Sequence, residues 1–334
     1  MKALVVSTPG TWSVVDDVPV PRAGAGELQV QVKAVGICGS DLHILAGEFP
    51  PTPYPIVPGH EFAGVVSEVG EGVENVAVGD RVAVDPSLFC GRCRYCRAGR
   101  GNLCASWGAI GDTVDGAFAE YVVVPARNAY PLPDDMSFAA GALVEPMSCV
   151  VHGLHRLALR PGSDLLIVGG GTIGLSLLQA AKHSGATTVD VVDTDASRLE
   201  RARGFGADEV ATDAEELLRR RGHGYEYVIE ATGVPAAGRT ALEALDRGGT
   251  LLIFGVAPEH AALDISPFRV YNDEQTILGS MAVLDSFAPA LRMLAAGAID
   301  AERMVTHTFE LDAFDEALAT MRERQGLKIQ VHFA

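Results

Sequence analysis

The chain has 334 residues, 48% hydrophobic and 21% charged, which is enough for two domains with separate cores. Its formal net charge of −17 speaks against nucleic acid and against an anionic membrane surface, both of which need a basic face. The opening MKALVVSTPG has too short an apolar run for a signal peptide, and the longest apolar stretch, Leu165–Ala181, is broken by four glycines and does not read as a membrane span. A cytoplasmic protein is expected, in which thiols stay reduced and clustered cysteines hold metal more readily than they pair.

From Met1 to about Tyr130 the sequence predicts a compact β domain. Apolar and polar residues alternate over Leu28–Val35, and similar short runs occur at Ala63–Val69, Arg81–Val84 and Ala119–Val124, separated by glycine-rich turns. The chemistry-bearing residues fall between these runs, in segments read as loops. Gly36–His43 carries Cys38, Ser40 and His43, and Pro58–Glu61 places His60 beside Glu61. Taken alone, Cys38 reads as a small buried hydrophobe and His60 as a satisfied core histidine. Taken together, thiol, imidazole and carboxylate are zinc-ligand types, and catalytic zinc takes three protein ligands and keeps one position open. A further carboxylate, Glu145, sits in the apolar segment Ala142–Met147, where it needs a metal, a cation or a hydrogen-bond partner; beside Pro146 it also reads as a helix-start residue.

Four of the six cysteines, Cys90, Cys93, Cys96 and Cys104, follow the pattern C-x2-C-x2-C-x7-C within fifteen residues. Four thiolates complete a tetrahedral zinc shell with no position left for substrate, so this site is expected to be structural.

The second half reads as a doubly wound α/β domain. The continuous apolar run Leu165–Val168 predicts a parallel strand buried on both faces. It leads into Gly169-Gly170-Gly171-Thr172-Ile173-Gly174, in which Gly169, Gly171 and Gly174 fit G-x-G-x-x-G before a helix over Leu175–Ser184. A pyrophosphate is expected at that helix N-terminus, against the turn that includes Thr172 and Ile173. The next strand, Thr188–Asp193, ends in Asp193, at the position that hydrogen-bonds an adenosine ribose. An acid there favours NAD over NADP; its alternative role is a helix N-cap, and Arg198 stands near enough to stack on adenine or approach a phosphate. Further strands are predicted at Tyr225–Ala231, Thr250–Val256 and Gln275–Gly279, with a helix over Ala237–Asp246. Val256, Ser280 and Met281, near the ends of the last two strands, complete the candidate cofactor contacts. Amphipathic helices over Phe287–Ala296 and Leu311–Arg324 precede a terminal strand, Lys328–Phe333.

The motifs CGSDLH (Cys38–His43), PGHEFAGVV (Pro58–Val66), GDRV (Gly79–Val82), the four-cysteine lobe, EP (Glu145-Pro146) and GGGTIG (Gly169–Gly174) occur in the order found in one family. Over essentially its whole length the chain resembles the zinc-dependent medium-chain dehydrogenase/reductase family, in its polyol and sorbitol dehydrogenase-like branch. The resemblance implies a GroES-like β-rich catalytic domain (1–146, with the zinc lobe 90–104), a Rossmann NAD-binding domain (147–284) and a C-terminal segment (285–334) packing back on the first. It implies a catalytic zinc held by Cys38 and His60 with Glu61, Glu145 or both, and a proton relay through Ser40 and His43. It implies NAD-dependent oxidation of a secondary hydroxyl of a polyol or sugar alcohol to a ketone, with threonine or a simple secondary alcohol as the alternative substrate. A non-catalytic NAD-binding zinc protein is the reading from another class. The resemblance places specificity in segments around residues 44–54, 107–115 and 268–285. It also implies a homo-oligomer, dimer or tetramer, with Gln275–Val283 as candidate interface or else as an interior strand. Arg269 and Arg303 are candidates for an anionic group on the substrate, or ordinary solvated arginines.

Overall fold

The computed structural model of the chain describes residues 1–49 and 52–334, so Pro50 and Pro51 of the candidate specificity segment 44–54 lie outside the described residues. Backbone contacts divide the chain into two units, Met1–Ser148 together with Val283–Ala334, and Cys149–Ala282. No helix among the described residues is long and apolar enough to cross a membrane.

The first unit is built on a seven-stranded sheet. Its central strand, Glu27–Gly36, pairs antiparallel with Glu61–Val69, Tyr121–Pro125 and Lys328–His332. The alternation read over Leu28–Val35 is therefore a strand with covalently distant neighbours on each side. The C-terminal residues add two strands to this sheet, Lys328–His332 and the parallel Val305–Glu310. The second is a threonine- and histidine-interrupted run that carries little apolar signal. The core of this unit includes Phe62, Phe118 and Phe314, all at most 1% exposed. Phe118 meets Phe314 edge to face, with centroids 5.1 Å apart, which ties the C-terminal helix Phe314–Arg322 to the N-terminal sheet.

Gly36–His43, read as a loop, is a helix start instead: Gly39–Ala46 is helical, with Cys38 at its N-cap. Eight residues with two N-terminal polar positions give too short an amphipathic pattern to be recognised. The helix is specified by Asp41, whose Oδ2 accepts the Cys38 N–H at 2.8 Å, and by Gly47, which ends it at φ +77°.

The second unit carries a six-stranded parallel sheet in the order Val210–Ala211, Thr188–Val192, Asp164–Val168, Tyr225–Glu230, Leu245–Ile253, Thr276–Gly279. The order reverses beside Asp164–Val168, the strand that precedes the glycine run, and in such sheets ligands bind at the carboxyl ends of strands near that reversal. Inside the sheet the Tyr225 hydroxyl donates to Asp190 Oδ2 at 2.7 Å, and the Arg221 guanidinium lies 4.2 Å over the Tyr225 ring. The helix expected over Ala237–Asp246 spans Pro235–Glu243, and Leu245 and Asp246 open the next strand. Leu245 is buried opposite Tyr225 in that pairing, so tertiary contact overrides the helical pattern at the end. Among the described residues Thr276–Gly279 pairs on one side only, with Leu245–Ile253, and is a sheet edge rather than an interior strand.

Candidate metal centres and nucleotide site

Three side chains that share no local pattern meet in the first unit. Cys38, His60 and Glu61 each bring a ligand atom within 4.8 Å of the others. Cys38 comes from the helix N-cap, and Glu61 opens the strand Glu61–Val69 directly after His60. His60 is 6% and Glu61 1% exposed. Thiol, imidazole and carboxylate at this spacing fit a metal ion with an open fourth position, and the burial means that Glu61 needs a cation.

Lys328 supplies one. Lys328, 6% exposed, forms an ion pair with Glu61 Oε2 and donates to the Ile37 carbonyl at 3.1 Å. Burial works to lower the Lys328 pKa, but the charges of Glu61 and Cys38 outweigh it and hold the ammonium above its ordinary value. Glu145, in the first turn of the helix Val144–Leu157, is also buried but is not part of the three-residue cluster. It adds to the field that keeps Lys328 charged.

Two carboxylates flank the cluster that sequence reading did not single out. Asp41 is fully buried, and burial pushes its pKa up to about 6, with His60 pulling the other way. Asp112 Oδ1 lies 3.1 Å from His60 Nδ1, against 3.8 Å for Asp41 Oδ1. Burial alone would lower the His60 pKa, but Asp112, Cys38 and Asp41 raise it well above the ordinary value. Asp112 is thus the nearer of two carboxylates to His60 Nδ1, although neither carboxylate makes a hydrogen bond to that nitrogen in this geometry.

Ser40 and His43 lie three residues apart on the Cys38-capped helix and so share a face. The Cys38 thiol donates to Ser40 Oγ at 3.8 Å, while His43, about half exposed, meets Glu48 Oε2 through Nδ1 at 2.9 Å. The pair therefore runs from beside the ligand cluster to solvent.

The four lobe cysteines converge as their spacing suggested. Sγ–Sγ distances are 3.5 Å for Cys93–Cys96 and 4.0 Å for both Cys90–Cys96 and Cys93–Cys104. A tetrahedron of sulfurs at about 2.3 Å from zinc has edges of about 3.8 Å, so the thiols already stand at the spacing the ion requires. Backbone N–H groups of Cys96 and Ala105 stabilise the Cys93 thiolate and bring its pKa down to about 6, whereas desolvation pushes Cys96 up to about 12. Gly91 and Gly99, at φ +69° and +68°, turn the chain around this cluster.

In the second unit the glycine run follows the strand Asp164–Val168 and opens the helix Thr172–His183. Gly169 has φ +115°, and a Cβ at Gly174 would stand 1.8 Å from the Gly169 carbonyl oxygen, so no other residue fits there. A Cβ at Gly171 would meet nothing within 4 Å. Gly171 caps the helix without a side-chain hydrogen bond, so the start of the helix containing Thr172 and Ile173 is open in the way an anion-binding turn requires. Asp193, 8% exposed, accepts the Gly170 N–H at 2.8 Å and lies 3.4 Å from Arg198 Nη1. It also accepts the Asp195 N–H at 2.9 Å, but the N-cap of the following helix is Asp195, not Asp193. Val256 is 89% exposed and its backbone lies against Gly233, while Ser280 donates its N–H to Ile253. Met281 is 40% exposed. These positions follow the strands on the same carboxyl edge as Gly169 and Asp193. Glu230, not singled out from sequence, ends its strand there and accepts the N–H groups of Thr232 and Gly233 at 2.7 and 3.0 Å.

Arg269 and Arg303 do not gather into either centre. Arg303 pairs with Asp300 on the surface, and Arg269 donates to the Leu242 carbonyl and lies 4.0 Å from Asp273.

Two families match the chain in tandem, "Alcohol dehydrogenase GroES-like domain" over residues 24–134 and "Zinc-binding dehydrogenase" over residues 172–296. The chain is 37% identical to D-arabinitol dehydrogenase 1 of Uromyces fabae, over 99% of this chain and 97% of that protein. Among solved structures, a zinc-binding dehydrogenase from Sinorhizobium meliloti 1021, bound to NADP, superposes with a TM-score of 0.95 at 36% identity over 99% of each chain. An alcohol dehydrogenase from E. coli CFT073 complexed with NADH superposes with a TM-score of 0.94 at 31% identity, covering 100% of this chain and 99% of that one.

Proposed function

The chain belongs to the zinc-dependent medium-chain dehydrogenase/reductase family and is an NAD(P)-dependent zinc oxidoreductase; from that premise we propose that it oxidises a secondary hydroxyl of a polyol or sugar alcohol to a ketone, with NAD as the preferred acceptor. The observation that carries this reading is the meeting of Cys38, His60 and Glu61 beside a helix that presents Ser40 and His43.

Cys38, His60 and Glu61 hold the catalytic metal in this account, and Lys328 balances the Glu61 charge. Glu145 stays in reserve as an alternative carboxylate ligand. Bound zinc supplies Lewis-acid polarisation that lowers the pKa of the substrate hydroxyl. Ser40 takes the hydroxyl proton and His43, half exposed, passes it to solvent. Gly169, Gly171 and Gly174 bring the backbone against the cofactor pyrophosphate, and Asp193 hydrogen-bonds its ribose. Val256, Ser280 and Met281 flank the nicotinamide end. The buried carboxylate of Asp193 supports NAD, and Arg198, 3.4 Å away, is the residue that sets how strictly NADP is refused. Cys90, Cys93, Cys96 and Cys104 hold a second, structural zinc.

The family relationship to a D-arabinitol dehydrogenase supports a polyol substrate. Assay of the zinc-loaded protein with NAD against a panel of polyols, threonine and simple secondary alcohols tests it. Turnover of polyols is expected, and turnover of threonine alone refutes the substrate assignment.

The exposed edge strand Thr276–Gly279, preceded by Phe268 at 70% and Tyr271 at 83% exposure, supports a homo-oligomer, a dimer or tetramer, formed by edge-to-edge pairing. Four thiols clustered at metal-site spacing suit a reducing compartment and support a cytoplasmic location.

A further inference from the structure

The second unit buries a carboxylate that no cation balances. Glu230 ends the strand Tyr225–Glu230 and is 2% exposed, and no ion pair reaches it among the described residues. A carboxylate taken out of water needs donors in place of the water it loses. Its donors come from the turn that follows it. Oε1 accepts the N–H of Thr232 at 2.7 Å, the N–H of Gly233 at 3.0 Å and the Thr232 hydroxyl. Oε2 shares the Gly233 N–H at 3.2 Å, and the Thr232 hydroxyl oxygen accepts the Val234 N–H at 3.0 Å. The carboxylate thus fixes the turn 231–234, which Gly233 closes at φ +73°.

That turn lies between two candidate cofactor positions. On one side, a Cβ at Gly169 would stand 2.6 Å from the Thr232 methyl, so Thr232 packs on the first glycine of the pyrophosphate turn. Ala231 donates its N–H to the carbonyl of Val168, directly before that glycine, at 2.9 Å. On the other side, a Cβ at Gly233 would overlap the Val256 carbonyl oxygen. A Cβ at Gly255 would overlap the Gly233 nitrogen and stand 2.8 Å from Glu230 Oε2. The Glu230 carbonyl oxygen also accepts the N–H groups of Phe254 and Gly255, at 2.9 and 3.0 Å. One residue therefore ties together three strand ends, at Gly169, at Glu230 itself and at Val256.

We propose that Glu230 is a positioning residue for the cofactor: its carboxylate holds the turn 231–234 between Gly169 and Val256, and thereby sets how tightly the chain binds the pyrophosphate and nicotinamide half of NAD. The proposal rests on the reading of Gly169, Gly171, Gly174 and Asp193 as the nucleotide site. Without the carboxylate the turn loses its internal donor–acceptor frame, and the cofactor must order it on binding at a cost in affinity. The adenosine half is placed otherwise. Asp193 follows Thr188–Val192, which lies on the opposite side of Asp164–Val168 from Tyr225–Glu230, so that half should be indifferent to Glu230.

The test measures binding of NADH and, separately, of AMP by calorimetry to the zinc-loaded parent chain, E230A and E230Q. Zinc content and the urea midpoint serve as controls for folding. A hydrogen bond to a charged group corresponds to about 10- to 100-fold in an equilibrium constant. Kd for NADH should rise by about that factor in E230A, with Kd for AMP unchanged. E230Q keeps the side-chain volume and one acceptor oxygen for the turn, so its Kd for NADH should fall between those of the parent and E230A. E230Q decides the matter if E230A does not fold. NADH affinity equal to the parent in the folded variants overturns the proposal, even where the urea midpoint drops, because Glu230 then serves stability alone. An equal loss of NADH and AMP binding overturns it too, as a general loosening of the unit. A parent chain that binds neither NADH nor AMP overturns the nucleotide-site reading and the proposal with it, which sets that outcome apart from a failure of Glu230 alone.

Discussion

Replacing Lys328 with methionine removes one half of a buried ion pair while keeping most of the side-chain volume. Glu61, at 1% exposure, then loses its one ion-pair partner among the described residues. Unit charges about 4 Å apart attract by about 4 kcal/mol at an effective dielectric constant of about 20. Breaking one side of a buried pair costs about 3–5 kcal/mol in general, because the remaining charge stays desolvated. The two estimates agree, and the metal-free K328M variant should lose about 3–5 kcal/mol. Both tryptophans, Trp12 and Trp107, lie in the first unit, so intrinsic fluorescence in a urea titration reports the unit that carries the change. Zinc supplies the missing positive charge, so the deficit should shrink in zinc-loaded protein. The double variant K328M/E61Q should lose less than the sum of the single changes, because the two sites are in contact. A loss below about 1 kcal/mol for K328M without metal, the range of an exposed pair, would refute the view that Lys328 balances a buried Glu61.

Three further outcomes are expected. Ser40→Ala should lower kcat by about 10²-fold or more, within the range of positioned proton transfer, and His43→Ala by less, because water reaches its half-exposed position; equal rates for Ser40→Ala and the parent would remove the relay. Zinc affinity of the lobe should rise with pH, since each ligand must lose its proton: Cys93, at about 6 without metal, is already a thiolate at neutral pH and adds a proton to be displaced only as pH falls through that value, while Cys96, at about 12, must give up a proton on binding. Chelator competition between pH 5 and pH 8 measures this, and a flat profile contradicts the thiol assignments. Asp193→Ala deletes a charged acceptor of the Gly170 N–H, a bond worth about 1.5–3 kcal/mol, so KM for NAD should rise by about tenfold or more and the NAD-to-NADP preference should narrow; an unchanged preference removes Asp193 as the selector.

The two-unit plan and the glycine turn were legible because they rest on local periodicity. The run Leu165–Val168 and the spacing of Gly169, Gly171 and Gly174 need no distant partner to be read. The lobe was legible for a similar reason, as all four thiols lie within fifteen residues. Cys38, His60 and Glu61 were recognised as ligand types, but only the pairing of Glu27–Gly36 with Glu61–Val69 brings them together. Lys328 left a faint signal, a lone ammonium in an apolar terminal strand, which by the cost of burial demands an acid. Asp41 lies within the CGSDLH motif, but its capping role depends on the helix Gly39–Ala46, which is too short to show an amphipathic pattern. Asp112 left none, because GAIGDTVDGAF is an ordinary polar turn until Gly111 and Gly116 close onto Gly59.

The central claim, that the centre at Cys38 rather than the lobe carries the reaction, is tested most directly by metal analysis of the Cys38→Ser variant alongside its turnover and NAD binding. The parent should bind about two zinc ions per chain, one for each ligand cluster, and the variant about one. Turnover should vanish in the variant while NAD binding and the zinc of the lobe persist. A Cys38→Ser protein that keeps both zinc ions, or that oxidises its substrate at the parental rate, would contradict the account.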